Sequence, residues 1–169
     1  MSSEAKIQQV MVAVDGSPPS QNALKYAIFT ASKFGAQLVV FSVVEQEKVG
    51  YWQFVDEHFK KELLDKAKEV IRQAEAQATE QGLSITSELV EGAQPYQEIV
   101  DFVEKHSGIT TLVMGDHGVG LTDRHLLGST TERVIRLIAK KGLPVAVTVV
   151  PYVAPGSPAC QLYAGPLCT

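Results

Sequence analysis

The sequence has no surplus of positive charge, no cysteine before its last ten residues and no long apolar run. Its 15 Lys and Arg stand against 19 Asp and Glu, a formal net charge of −4. No broad basic field is therefore available to grip nucleic acid or an anionic membrane surface. A phosphate-bearing ligand has to be held locally, by backbone amides and a few side chains. No stretch reaches the roughly 18 apolar residues that span a bilayer, so no transmembrane segment is expected. The residues from Met1 to Gln9 contain no apolar core of a secretory signal. Cys160 and Cys168 lie too near the end to staple the core, which fits a reducing cytoplasm. Whether they pair with each other or between subunits is open. Charge is also missing from one end: Lys141 is the last charged residue, and none follows from Gly142 to Thr169.

What is present describes an ordinary globular chain. With 169 residues, 45% hydrophobic and 20% charged, one domain can bury about 70% of its unfolded surface. Strand and helix signals alternate. Val10 to Val14 is a β-branched run ended by Asp15-Gly16. Ser17 suits a helix cap, with Pro18 and Pro19 in the first turn, and Gly35 suits the helix end. Gln37 to Val44 reads as a strand apolar on both faces. Asp56 to Gln81 predicts a helix whose core stripe is Phe59, Leu63, Ala67, Val70, Ala74 and Ala78. A strand over Leu83 to Val90, a helix from Pro95 to near Gly108 and a strand over Thr110 to Met114 follow. A helix from Ser129 to about Lys141 and a strand over Pro144 to Val150 complete the series. This β-α alternation predicts an α/β fold: an open, doubly wound, Rossmann-like five-stranded parallel sheet with helices on both faces. Residues 1–150 are expected to form the domain. Residues 151–169, with Pro151, Pro155, Pro158 and Pro166, are expected to form a loose or surface-draped tail.

The chemistry is expected beyond the carboxyl ends of the strands, near the switch in strand order. Two segments compete for that position: Asp15-Gly16-Ser17 and the run from Met114 to Thr131. The second reads as Gly115, two residues, Gly118, nine residues, then Gly128-Ser129. Glycines allow close backbone approach to a ligand and positive φ. At the start of the last helix, free amides and the hydroxyls of Ser129 and Thr130 would suit an anion. No Gly-Lys-[Ser/Thr] follows the glycines, so this is not a P-loop, and Asp123 stands where a dinucleotide fingerprint needs its third glycine. Ser129 with Glu132 also makes a capping-box pattern, and Asp15 before Gly16 is equally a turn former.

The stretch from Ile7 to Val150 resembles a universal stress protein domain of the ATP-binding type. The resemblance rests on Val-Ala-Val-Asp15-Gly-Ser, Phe-Ser-Val43 and Val-Met-Gly115-Asp-His-Gly118 with nine residues to Gly128-Ser129. It implies that Ala13, Val14, Asp15 and Val43 hold adenine or ribose. It implies further that Met114, Gly115, His117 and Gly118 line the ribose and phosphate path, and that Gly128, Ser129, Thr130 and Thr131 cradle phosphates. Asp116 fits such a site only if its carboxylate points away or meets a cation. ATP is the expected ligand, with Mg2+ carried mainly by its phosphates. A homodimer through Val145 to Val150 is implied, and that uncharged strand suits pairing with a copy of itself.

His117 and His125, beside Asp116 and Asp123, match no transition-metal spacing. His58 and His106 read as solvated helix residues, and Tyr51, Trp52 and Phe54 as an aromatic patch near the pocket. The leading functional reading is a cytoplasmic, ATP-binding stress-response regulator that associates with an unidentified partner according to nucleotide occupancy. The alternatives are a slow ATPase or phosphotransferase using His117, Asp116 or Arg124, and a dimeric interaction module without nucleotide. No lysine stands in the glycine segment and no Gly-x-Ser-x-Gly elbow occurs, so any turnover is expected to be slow.

Overall fold

The computed structural model describes residues 7–45, 57–118, 127–158, 160 and 165–168. Tyr51, Trp52, Phe54, Asp123, Arg124 and His125 lie outside these described residues. The elements are β1 (Gln9–Ala13), α1 (Pro18–Phe34), β2 (Gln37–Glu45), α2 (Glu57–Glu80), β3 (Ile85–Gly92), α3 (Pro95–Lys105), β4 (Ile109–Gly115), α4 (Ser129–Lys141) and β5 (Ala146–Val150). The alternation expected from the sequence is present, with ends displaced by a residue or two. β5 starts at Ala146 rather than Pro144 because the Val145 amide turns back to the Leu143 carbonyl, 2.8 Å away.

All five strands are parallel, in the order β3-β2-β1-β4-β5. The chain begins in the middle of the sheet, winds out to β3, then returns to the other side for β4 and β5. β1 therefore pairs on both edges, Val10 with Leu38 of β2 and with Thr111 of β4. The direction of winding reverses between β1 and β4, which opens a crevice beyond their carboxyl ends.

Two cores sandwich the sheet. Val10, Val12, Leu38 and Val40 face Leu24, Ala27 and Ala31 of α1 and Ala74 and Ala78 of α2. Met11, Phe41, Leu112 and Met114 face Ile99, Val100 and Val103 of α3 and Val134 and Ile138 of α4. Successive residues of β1 alternate between these cores because strand side chains alternate in direction. Val10, Met11 and Val12 are each fully buried, and such burial stabilises by about 1.5–3 kcal/mol per large side chain.

Ser17 caps α1 as expected, its Oγ accepting from the Ser20 amide at 3.3 Å. The α2 stripe departs from expectation in its first half. Ala74 and Ala78 are buried and Val70 packs against the same core, but Phe59 is 43% exposed, while Leu63 and Ala67, with one side of Val70, line a cavity. The cause is length: α2 runs past the strand ends, so its first turns have no sheet beneath them.

Beyond β5 the chain is draped over the domain. Asn22 Nδ2 of α1 donates to the Val153 carbonyl at 3.2 Å, and Leu167 packs against the core shared with α1 and α2. Cys160 and Cys168 are joined to each other in a disulfide. No described helix is long and apolar enough to cross a membrane.

Candidate functional site

A cavity of about 710 Å³ lies over the carboxyl ends of β1, β2 and β4, within the roughly 300–1,000 Å³ usual for small-molecule sites. Every site residue expected from the sequence lines it. Ala13, Val14 and Asp15 come from the end of β1, and Val43 from β2. Met114 and Gly115 end β4, His117 and Gly118 follow it, and Gly128 caps α4, whose first residues are Ser129, Thr130 and Thr131. Phe41 and Ser42 of β2 and Ile99 of α3 complete the wall around Val43.

The three described glycines of the segment serve close approach rather than unusual φ. None of Gly115, Gly118 and Gly128 is among the positive-φ glycines, which corrects half of the reason given for them above. A Cβ on Gly115 would stand 2.9 Å from the Pro19 backbone, and one on Gly128 would stand 2.8 Å from His117 Cα. A Cβ on Gly118 would meet Asp15 Oδ2 at 2.6 Å. The glycine segment, the β1 turn and α1 are thus pressed together with no room for a methyl group.

Asp15 forms the expected turn and also lines the cavity. Its Oδ1 accepts from the Ser17 amide at 2.9 Å and from Ser17 Oγ at 2.5 Å, forming the turn into α1. Its Oδ2 faces Gly118 across the cavity wall. Gly16 at φ 82° makes the sharp reversal that lets one aspartate do both.

The start of α4 differs from the expected capping box. Gly128, not Ser129, is the N-cap, and no side-chain cap is made among the described residues. With Gly128 as N-cap, Glu132 stands one residue beyond the third helical position that a capping box needs, and it pairs with Arg136 at 2.8 Å instead. Its own amide makes the first turn's bond to the Gly128 carbonyl at 2.9 Å. The amides of Ser129 and Thr130 therefore stand at the positive end of the helix dipole beside the cavity, with no side-chain oxygen upon them. Thr131 is a strut: its buried hydroxyl donates to the Gly115 carbonyl at 2.9 Å, tying α4 to the end of β4.

Asp116 does not line the cavity. Its Oδ2 accepts from the Tyr152 amide at 3.3 Å, so its charge is directed toward the chain leaving β5. Its Oδ1 lies 2.7 Å from His117 Nδ1, although the two are not aligned as a hydrogen bond. The repulsion that this carboxylate threatened is removed by its direction.

Sequence reasoning missed Lys66. It is the one lysine or arginine among the described lining residues, facing the acidic Asp15 and Glu45. Its Nζ pairs with Glu62 Oε1 at 2.8 Å, and that bond holds the Glu62 carboxyl below its ordinary range. The signal was present in the spacing: Lys66 interrupts the apolar row of Leu63, Ala67 and Val70 on the face that meets the strand ends. A neighbouring cleft of about 720 Å³ shares Asp15, Lys66 and Val70 but is otherwise lined by the mixed charges of α2 and Gly16. Its Glu69 is pulled down to about 2 by hydrogen bonds from Arg72 and Gln73. No group of three metal-ligating side chains comes together among the described residues.

Comparison with known proteins agrees with this architecture. The model of the universal stress protein family matches residues 6–151. A universal stress protein of Methanocaldococcus jannaschii is 34% identical over 135 residues, covering 76% of each chain. Among solved structures, the universal stress protein UspA from Lactobacillus plantarum superposes with a TM-score of 0.69 at 25% identity, over 87% of this chain and 99% of that one. A universal stress protein from Archaeoglobus fulgidus, solved in complex with dAMP, gives a TM-score of 0.60 at 21% identity, over 85% and 97%. Strand order, glycine contacts and sequence match converge: the chain belongs to the universal stress protein family.

Proposed function

We propose that the cavity binds an adenine nucleotide, with ATP as the preferred ligand, and that occupancy regulates association with a partner. The observation that carries this reading is the uncapped start of α4, whose amides face a cavity pressed close by three glycines. Phosphates would rest on the amides of Ser129, Thr130 and Thr131, and the nucleoside would lie toward Val43 and Asp15. The dAMP complex of the Archaeoglobus relative supports an adenine nucleotide as the ligand class. Mg2+ would ride on the phosphates with its waters, since the described residues form no cage for it. The protein acts as a cytoplasmic binder with at most slow turnover: a phosphoryl-transfer site needs a cationic clamp, and among the described lining residues Lys66 is the one cation. A homodimer through the uncharged edge strand, Val145 to Val150, fits this regulatory role.

Titration calorimetry with ATP tests the reading. Wild type is expected to bind, and Gly118→Ala to bind about 10-fold more weakly, a loss of about 1.4 kcal/mol, because the added methyl displaces the Asp15 carboxylate. Absence of adenine-nucleotide binding by wild-type protein would overturn the reading.

A further inference from the structure

Asp116 connects three parts of the molecule. Its amide donates to the Val150 carbonyl at 3.0 Å and its Oδ2 accepts from the Tyr152 amide. Its carbonyl accepts from the Gly128 amide at 2.7 Å, and its Oδ1 touches His117 Nδ1. The chain leaving β5 is therefore linked through one residue to the cap of α4 and to the imidazole on the cavity wall. Downstream, the same chain is fastened at Val153 to Asn22, and at Leu167 to the core. Cys160 and Cys168, both partly exposed, close it with a disulfide across a Cα separation of 5.2 Å. The family match stops at residue 151, so these fastenings lie outside the matched domain.

We propose that the described residues of this extension form a redox-controlled strap behind the cavity wall, with Asp116 as the positioning residue that transmits its state to His117 and Gly128. With the disulfide closed, Leu167 beside Cys168 is tied to Cys160 and stays docked on the core, which keeps Val153 on Asn22 and Tyr152 against Asp116. Asp116 in turn fixes His117 and the Gly128 cap. Reduction by an external dithiol opens the strap. One reductant thiolate attacks a cysteine sulfur, and the other cysteine leaves as a thiolate that takes a proton. The second reductant thiol then displaces the mixed disulfide, giving two cysteine thiols and an oxidised dithiol. Two electrons and two protons pass from the dithiol to the protein. In a reducing compartment the bond re-forms when an external disulfide such as oxidised glutathione accepts the two electrons and two protons of the cysteine thiols, so its state reports oxidising conditions. The proposal rests on the nucleotide reading of the cavity.

The test compares the full chain oxidised and after reduction with dithiothreitol, using ATP titration and amide hydrogen exchange of the nucleotide-free protein. Reduction is expected to weaken ATP binding about fivefold and to speed exchange at Asp116 and over Gly128 to Thr131. The Cys160→Ser/Cys168→Ser double variant should match the reduced protein under both conditions. Asp116→Asn should bind ATP weakly and lose the redox dependence. Equal ATP affinity in the two states, with the wild type binding, would overturn the strap. If ATP binds in neither state, the nucleotide reading fails and exchange decides the strap: faster exchange on reduction supports it, and unchanged exchange overturns it.

Discussion

Two of the helices that begin at the cavity, α1 and α4, treat their first turns in opposite ways. α1 follows β1 through Asp15-Gly16-Ser17 and caps itself: Ser17 Oγ accepts from the Ser20 amide, and Asp15 in turn accepts from Ser17. α4 follows β4 after the glycine segment and begins at Gly128, which has no side chain to offer. Both starts present the same unsatisfied amides and the same positive dipole end. The first is neutralised by its own residues, and the second is left for something else. A binding end is marked here by what the cap residue lacks, not by the serine and threonines after it.

The sharpest way to break this contrast is Gly128→Ala. Its methyl would stand 2.8 Å from His117 Cα, a backbone contact that no rotamer change relieves. ATP binding measured by calorimetry should weaken roughly 30-fold or more, about 2 kcal/mol, with circular dichroism confirming the fold. A smaller effect is expected at the closed end. Ser17→Ala should lower stability to urea unfolding by about 1 kcal/mol, with ATP affinity nearly unchanged. If that variant lost binding before stability, α1 would also be a binding end and the contrast would collapse. Smallest of all is Glu132→Ala, which removes an exposed ion pair with Arg136 and should change ATP affinity by less than about twofold. A larger loss would restore Glu132 to the capping role that its spacing suggested.

The fold was legible because the runs of β1, β2 and β4 are short, apolar on both faces and bounded by turn residues, as the interior of a covered parallel sheet requires, while β3 alternates as an edge strand does. The site's main residues were legible for a related reason: they sit at strand ends and a helix start, where local sequence and position in the fold coincide. What escaped depends on contacts distant in the chain. Asp116 turns outward because β5 delivers Tyr152 beside it, a consequence of the β4–β5 register that local sequence does not encode. Lys66 reaches the cavity because α2 overshoots the sheet. The misplaced cap at Ser129 has a different cause, since Ser-x-x-Glu looks the same whether the serine precedes the helix or opens it.

The central position of β1 has a consequence for how the molecule is made. Val10 gains Leu38 as a neighbour early in synthesis but waits for Thr111 on its other edge. At about 5–20 residues per second, β1 spends roughly 5–20 s with one apolar edge unpaired while the intervening chain of roughly 100 residues is translated. An open β-branched edge on a nascent chain is a template for wrong pairing, so the growing polypeptide is a natural client for ribosome-associated holding factors. The strand most deeply enclosed in the finished protein is the one longest uncovered during its manufacture.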